Sequence, residues 1–337
     1  MTNYPSSVIR LSYVDMARGF AILMVVSGHI IQSNFVDGVH NPACLFIMSF
    51  HMPLFFAISG YIGKIVNKPI CGLGGVFSYL KKKTLALLVP LLIWSLIIQK
   101  LFFSSNWSFP TITELVQTLT NPGLWFLLAL FRISIVYLLF QWLCEKFNKS
   151  NKIWKDILFL IPVLLLSGGL KTQSIQIGNV YLYTLFFYEG VMVAKHEIIN
   201  KCFFTEWAFI LAFIVFCILA CHWNVISGSV DINDLLKLFI ATSAFILVMN
   251  VCEKYKDANV CKHLCLFGRY SMEIYVAHWT FLWLAKTLLL DATSVNCFLI
   301  FMIATIIAYP IIYSCILFAK VVERSPKLRL IIFGRRK

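Results

Sequence analysis

Charge is scarce in this chain. Only 13% of its 337 residues are Asp, Glu, Lys or Arg, against about 25% in soluble domains. With 60% hydrophobic residues and a mean hydropathy of +0.83, that scarcity excludes a soluble globular protein and requires an all-α polytopic membrane protein. Long polar tracts are missing too, so no loop could hold a soluble domain. Residues 1–337 read as a single transmembrane domain. Paired repeats and matched broken helices, the usual pointers to a transporter, are absent. A disulfide framework is not indicated either. Most of the eleven cysteines, among them Cys44, Cys144, Cys217, Cys252, Cys297 and Cys315, lie in or at the ends of apolar runs, where Cys behaves as a small packing residue. Cys261, His263 and Cys265 fit no usual zinc spacing, so no metal is expected. The N-terminus lacks a small-residue cleavage site, and its first helix is read as retained rather than as a signal peptide.

What is present is a succession of apolar runs long enough to span hydrocarbon. Ten are expected, at 14–34, 42–63, 84–103, 123–144, 156–171, 178–195, 204–223, 235–252, 271–290 and 296–320. The net charge of +14 is not gathered into one aromatic-laced patch, which argues against nucleic acid as a partner. Of the 29 Lys and Arg, 24 fall on one side of this ten-helix bundle, four on the other, and Arg132 within the fourth helix. Such asymmetry puts the basic side, and both termini, in the cytoplasm.

The chain is organised around YVDMARGFAILMVVSGH, Tyr13 to His29. Asp15, Arg18 and His29 sit inside an apolar run, where each charge costs at least ~2.5 kcal/mol, so an intramembrane charge is by default a functional-site hypothesis. Arg18 and His29 are eleven residues apart, three helical turns plus about 20°, with Asp15 one turn before Arg18. All three therefore share a face, the His roughly 16 Å along the axis from the Arg. The bland alternative is an interfacial ion pair and a core histidine.

Further ionisable groups recur within the apolar runs. His51, in SFHMPLFFAISGY, lies deep enough to face His29 across a hairpin, and Pro53 beside it frees a backbone carbonyl. Trp125 and Arg132 lie in the fourth helix, Glu189 in the sixth, and Glu273 and His278 in the ninth. Arg132 and Glu189 are candidate partners in an ion pair between two helices; with Trp125 and His278 they are also candidates for lining a substrate cavity. Lys81, Lys82 and Lys83 lead into the third helix, placed to contact anionic lipid or the phosphates of a nucleotide-bearing donor. Two function classes suit such a cavity. In an enzyme, neutral His takes a proton from a hydroxyl attacking an acyl carbon, and the Arg fork suits phosphate. In an export carrier, the same groups form a proton relay beside a path for a small anion or glycan intermediate.

In order along the chain, YVDMARGFAILMVVSGH, FHMPLFFAISGY, LKKKTLALLVPLLIW, GLWFL and GRYSMEIYVAH resemble the integral-membrane acyltransferase-3 family. Within it, they are most similar to the branch related to fucose O-acetyltransferases. The resemblance implies a ten-helix bundle at the bacterial inner membrane that takes an acyl group, usually acetyl, from cytoplasmic acetyl-CoA. The acceptor implied is a hydroxyl of a cell-surface glycan or lipid-linked sugar. It implies that His29 and Arg18 are essential, His29 as the base; Asp15 and His51 join them as candidate catalytic residues, and Arg18 with Lys81 to Lys83 as donor-binding residues. Many relatives carry a fused periplasmic hydrolase-like domain. Here the membrane domain is expected to carry out the whole transfer. Branch relatives often have Lys in place of Arg18, so charge rather than the fork is what that position requires.

The expected topology is open to a direct check. Single cysteines placed in 35–41 and 224–231 should be labelled from the outside, and those near Lys149 and Lys256 only from the inside. Labelling of both groups from one side would overturn the ten-helix reading.

Overall fold

The structure is a computed structural model that describes residues 11–66, 72–98, 100–101, 109–120, 123–147, 153–154, 156–157, 160–161, 180–220, 230–285 and 296–335. Those residues form helices α1 (Ser12–Asn34), α2 (Pro42–Val66), α3 (Gly72–Lys83), α4 (Val89–Ile93), α5 (Ile112–Thr120), α6 (Trp125–Phe147) and α7 (Val180–Lys195). They continue with α8 (Glu197–Phe203), α9 (Glu206–Ala220), α10 (Val230–Lys254), α11 (Lys262–Arg269), α12 (Ser271–Ala285), α13 (Cys297–Glu323) and α14 (Pro326–Phe333). No strand of two or more residues appears among them.

Four helices are long and apolar enough to cross a membrane: α1, α2, the Leu236–Lys254 part of α10, and α13. Helices α8 and α9 meet at 62° and make a fifth if read as one broken span. Trp125–Gln141 is a shorter apolar helix, the expected spans at 178–195, 204–223 and 271–290 run past the described residues, and the one at 156–171 lies mostly outside them. The described residues therefore do not fix a count of ten. The expected third span begins earlier than its apolar run: α3 continues without a break through Thr84–Leu88 and α4 to Ile98. Thr84–Leu88 and Trp94–Ile98 are π-helical, the N–H of Val89 reaching back five residues to the Thr84 carbonyl. Pro90, which has no N–H to offer the preceding turn, lies between them.

Helix α1 is the interior post. Within its most apolar window 83% of the residues are buried, against 39% for α13, which presents a face outward as a lipid-facing helix does. Two seams fix its surroundings. At the first, the backbone of α1 touches that of α11: a Cβ on Gly19 would lie 1.9 Å from the Leu264 carbonyl oxygen, and one on Gly268 1.7 Å from that of Asp15. At the second, α2 meets α7 in the same way, Gly60 against Phe187 and Gly190 against Ala57. Small residues at such crossings allow the close approach that drives helix association where no hydrophobic force acts between helices. At the foot of α7, the buried carboxylate of Asp156 accepts hydrogen bonds from Lys195, His196 and Tyr188 at 2.6–3.0 Å, tying the segment around 156 to that helix.

The seams give a stability prediction. Gly190→Ala drives a methyl to 1.8 Å from the Ala57 oxygen and should cost about 1–3 kcal/mol, as overpacking does. Gly74→Ala, with nothing within 4 Å, should gain about 0.5–1 kcal/mol from a helix interior. Unfolding in detergent micelles measures both; equal effects would mean that the α2–α7 seam is not close-packed.

Candidate active site

Six helices, α1, α2, α3, α6, α12 and α14, contribute to two adjoining cavities at the basic end of the bundle. On α2, Val66, Ile62, Ser59, Phe55 and His51 recur at about four-residue spacing, one stripe climbing about 22 Å. The first three border a vestibule of about 630 Å³. Among the described residues its lining includes five cations, Arg18, Lys81, Lys82, Lys83 and Arg335, and no carboxylate. Beyond it lies an inner pocket of about 200 Å³, walled by Phe55, Phe126, Leu127, Met272 and Tyr275. Arg18, Ser59, Lys83, Ala86, Leu130 and Arg335 border both cavities and so form the neck between them.

Each charged group at the neck is held in place. Arg18 donates from Nη2 to Ser271 Oγ at 2.6 Å, and Asp15 lies one turn behind it, its Oδ2 3.7 Å from Arg269 Nε. The Lys83 ammonium lies 5.5 Å from the Tyr79 ring centre.

Behind the Tyr275 wall of the inner pocket the histidines gather. The Tyr275 ring lies 5.3 Å from Phe126 and 6.0 Å from His278. His278 stacks on His29 at 5.3 Å, and Trp279 closes over His29 at 4.6 Å. The tautomers follow from the acceptors. His278 Nδ1 donates to the Tyr275 carbonyl at 2.7 Å, His51 Nδ1 to that of Ile47 at 2.7 Å, and His29 Nδ1 to Gln32 Oε1 at 2.6 Å. A backbone carbonyl oxygen only accepts, so Nδ1 of His278 and of His51 carries the proton and Nε2 keeps its lone pair; the Gln32 amide, set with Oε1 toward the ring, gives His29 the same tautomer. On His278 that Nε2 is buried without a hydrogen-bond partner. His51 is half-buried and lies within electrostatic range of His29 and Lys237.

The expected site residues therefore divide. Asp15, Arg18, Lys81, Lys82 and Lys83 come together at the basic end, and His29, His278 and His51 at the other. Trp125 packs against Tyr183 at 5.1 Å, and Lys237 lies 5.4 Å from that ring. The expected pair of Arg132 and Glu189 does not form. Arg132 donates to the Leu119 carbonyl of α5 at 3.2 Å, while Glu189 accepts from Thr242 of α10 at 3.2 Å. Their helices turn these side chains toward different neighbours, and Arg132 borders neither cavity.

Several participants escaped the sequence reading. Gln32 carried a usable signal, three residues after His29 and so on its face. Ser271, Tyr275 and Trp279 belong to the GRYSMEIYVAH block and its next residue, but nothing in their spacing marked them. Arg335 counted only as one more basic residue near the C-terminus.

A family model described as an acyltransferase domain matches residues 11–317. The chain belongs to this acyltransferase family. It is the family to which the motif blocks pointed. Among curated proteins, the chain is 30% identical over 165 residues to nodulation protein NolL of Sinorhizobium fredii, covering 45% of this chain and 42% of that protein. To nodulation protein NolL of Mesorhizobium japonicum it is 29% identical over 184 residues, 52% of this chain and 45% of that one. The chain thus spans less than half the length of these relatives. No solved structure matches it.

The Gln32 contact sets the His29 ring. Gln32→Leu should lower kcat by roughly tenfold, less than the loss of the base itself because general-base catalysis contributes about 10²–10⁴-fold, and leave the donor KM unchanged. Steady-state kinetics in detergent check this; an unaltered kcat would show that the ring is positioned by Trp279 and His278 alone.

Proposed function

We propose that this membrane acyltransferase is an O-acetyltransferase of the bacterial inner membrane. In this reading it moves acetyl from cytoplasmic acetyl-CoA to a hydroxyl of a cell-surface glycan or lipid-linked sugar. One observation carries the reading: a five-cation vestibule adjoins an apolar pocket whose Tyr275 wall packs against the stacked rings of His278 and His29. The positive-inside rule assigns the basic end to the cytoplasm, where acyl-CoA is found.

The chemistry follows from that arrangement. The donor's phosphates, polyanionic and strongly hydrated, stay among Arg18 and Lys81 to Lys83. Its pantetheine arm, uncharged and extended, runs past Phe55, Phe126 and Tyr275 toward His29. Arg18 and His29 are separated by roughly 16 Å along α1, a span suited to that arm. There His29 Nε2 takes the proton of the acceptor hydroxyl as its oxygen attacks the thioester carbonyl. The C–S bond breaks, the ester forms, and the proton passes to the departing CoA thiolate. CoA never needs to cross the membrane. The acceptor approaches from the opposite face, where half-buried Trp125, packed on Tyr183, offers an aromatic surface to the apolar face of a sugar ring, with Lys237 beside it. His51 stands near that entrance.

The test is a mass spectrum of the surface glycan from cells with and without the chain. Cells carrying it should show a difference of acetyl size, lost in His29→Ala, whose rate should fall by about 10²–10⁴-fold. Purified protein with labelled acetyl-CoA provides the second arm, because a carrier would transfer nothing covalently in detergent. Normal acetylation by a correctly inserted His29→Ala would make His29 a packing residue.

A further inference from the structure

Helix α14 lies outside the segment that the family model matches, residues 11–317, yet it supplies one of the cations at the neck. Its local design explains how. Ser325 caps its start through Oγ, which accepts from the Leu328 N–H, and Pro326 follows at the first helical position. Phe333 is fully buried between Trp94 and Phe318, each ring 6.3 Å away. The Trp94 indole donates to the Ile332 carbonyl at 3.0 Å. These contacts dock the helix under the bundle. Gly334 then ends it in the left-handed region, φ +65°, its N–H bonded to the Leu330 carbonyl, the common glycine stop. A Cβ there would lie 1.7 Å from the Leu85 oxygen, so the turn is sterically specified as well. That turn delivers Arg335 to the neck, where it borders both vestibule and inner pocket.

Arg335 is oriented from behind. Nη1 donates at 2.9 Å to Glu273, a carboxylate that is only 2% exposed. The second oxygen of Glu273 is buried without a hydrogen-bond partner. One of the five guanidinium N–H donors is thus committed to Glu273, while the side chain keeps 32% exposure toward the cavity.

We propose that Arg335 is a donor-specificity residue: with Arg18 and Lys83 it forms a collar of three cations that grips the phosphate groups of the acyl donor as the arm threads through. The proposal rests on the acyl-CoA reading above and deepens it. The collar selects phosphorylated thioesters over phosphate-free ones, and a planar fork beside two other cations gives phosphate both charge and bidentate geometry. Helix α14 is thereby part of the donor site rather than a structural appendix.

The experiment uses the full chain in detergent, with acetyl-CoA and the phosphate-free acetyl-pantetheine as alternative donors. Arg335→Ala should raise the KM for acetyl-CoA about tenfold with little change in kcat, and leave the KM for acetyl-pantetheine unchanged. Arg335→Lys should lose less, and Arg335→Glu more. An unchanged acetyl-CoA KM in Arg335→Ala, or an equal shift for both donors, would overturn the proposal, the latter marking a merely structural role. Binding of CoA itself, followed by titration calorimetry on wild type and Arg335→Ala, separates the collar from the catalytic reading. Wild type that binds CoA about tenfold more tightly than the variant but transfers nothing keeps the collar and sinks the acetyltransferase assignment. Wild type that transfers acetyl while both proteins bind CoA equally sinks the collar alone. Wild type that neither binds CoA nor uses it sinks both.

Discussion

A charged stripe can lie on an interior helix only if other helices satisfy it. In this protein one stretch of chain, Arg269 to Trp279, supplies a partner to each residue of the α1 stripe. Arg269 faces Asp15, Ser271 receives Arg18, and His278 and Trp279 enclose His29. That register depends on the backbone contact between α1 and α11, where Gly19 meets Leu264 and Gly268 meets Asp15 with no space for a side chain. Shifting either helix by one residue would turn the stripe by 100° and strand its charges. The pairing of the first helix with the eleventh and twelfth is therefore the constraint from which both ends of the site follow.

From this constraint the path takes shape. The stripe on α2 faces the same space, and α3 with α14 adds cations only at the basic end. The result is a gradient: five cations in the vestibule, an apolar waist, then neutral imidazoles whose N–H groups are all committed to acceptors within their own helices. Polar charge at one end and lone pairs at the other suit a ligand with an anionic head and a reactive, uncharged tip.

Sequence made the local half of this legible. The all-helical class, the Arg18–His29 stripe and the lysine triplet were readable because helical periodicity and hydrocarbon solvation act over a few turns. The partners were not, since Ser271 lies 253 residues from Arg18 and no local rule links them. Arg132 and Glu189 show the cost of guessing. Two lone opposite charges in apolar helices invite pairing, but a helix-end carbonyl on α5 and a threonine on α10 answered them instead. Arg335 was hidden for another reason. Its role depends on a glycine turn and on a docked aromatic, neither of which differs in sequence from an ordinary helix end.

The central claim is that one continuous path joins the basic vestibule to the histidines and that the donor lies along it. A cryo-electron microscopy structure of the protein with bound CoA tests this most directly. The account predicts nucleotide density among Arg18, Lys83 and Arg335, the arm passing Phe126 and Tyr275, and the thiol beside His29. Density for CoA at the Trp125–Lys237 end, or a thiol ending remote from His29, would contradict it.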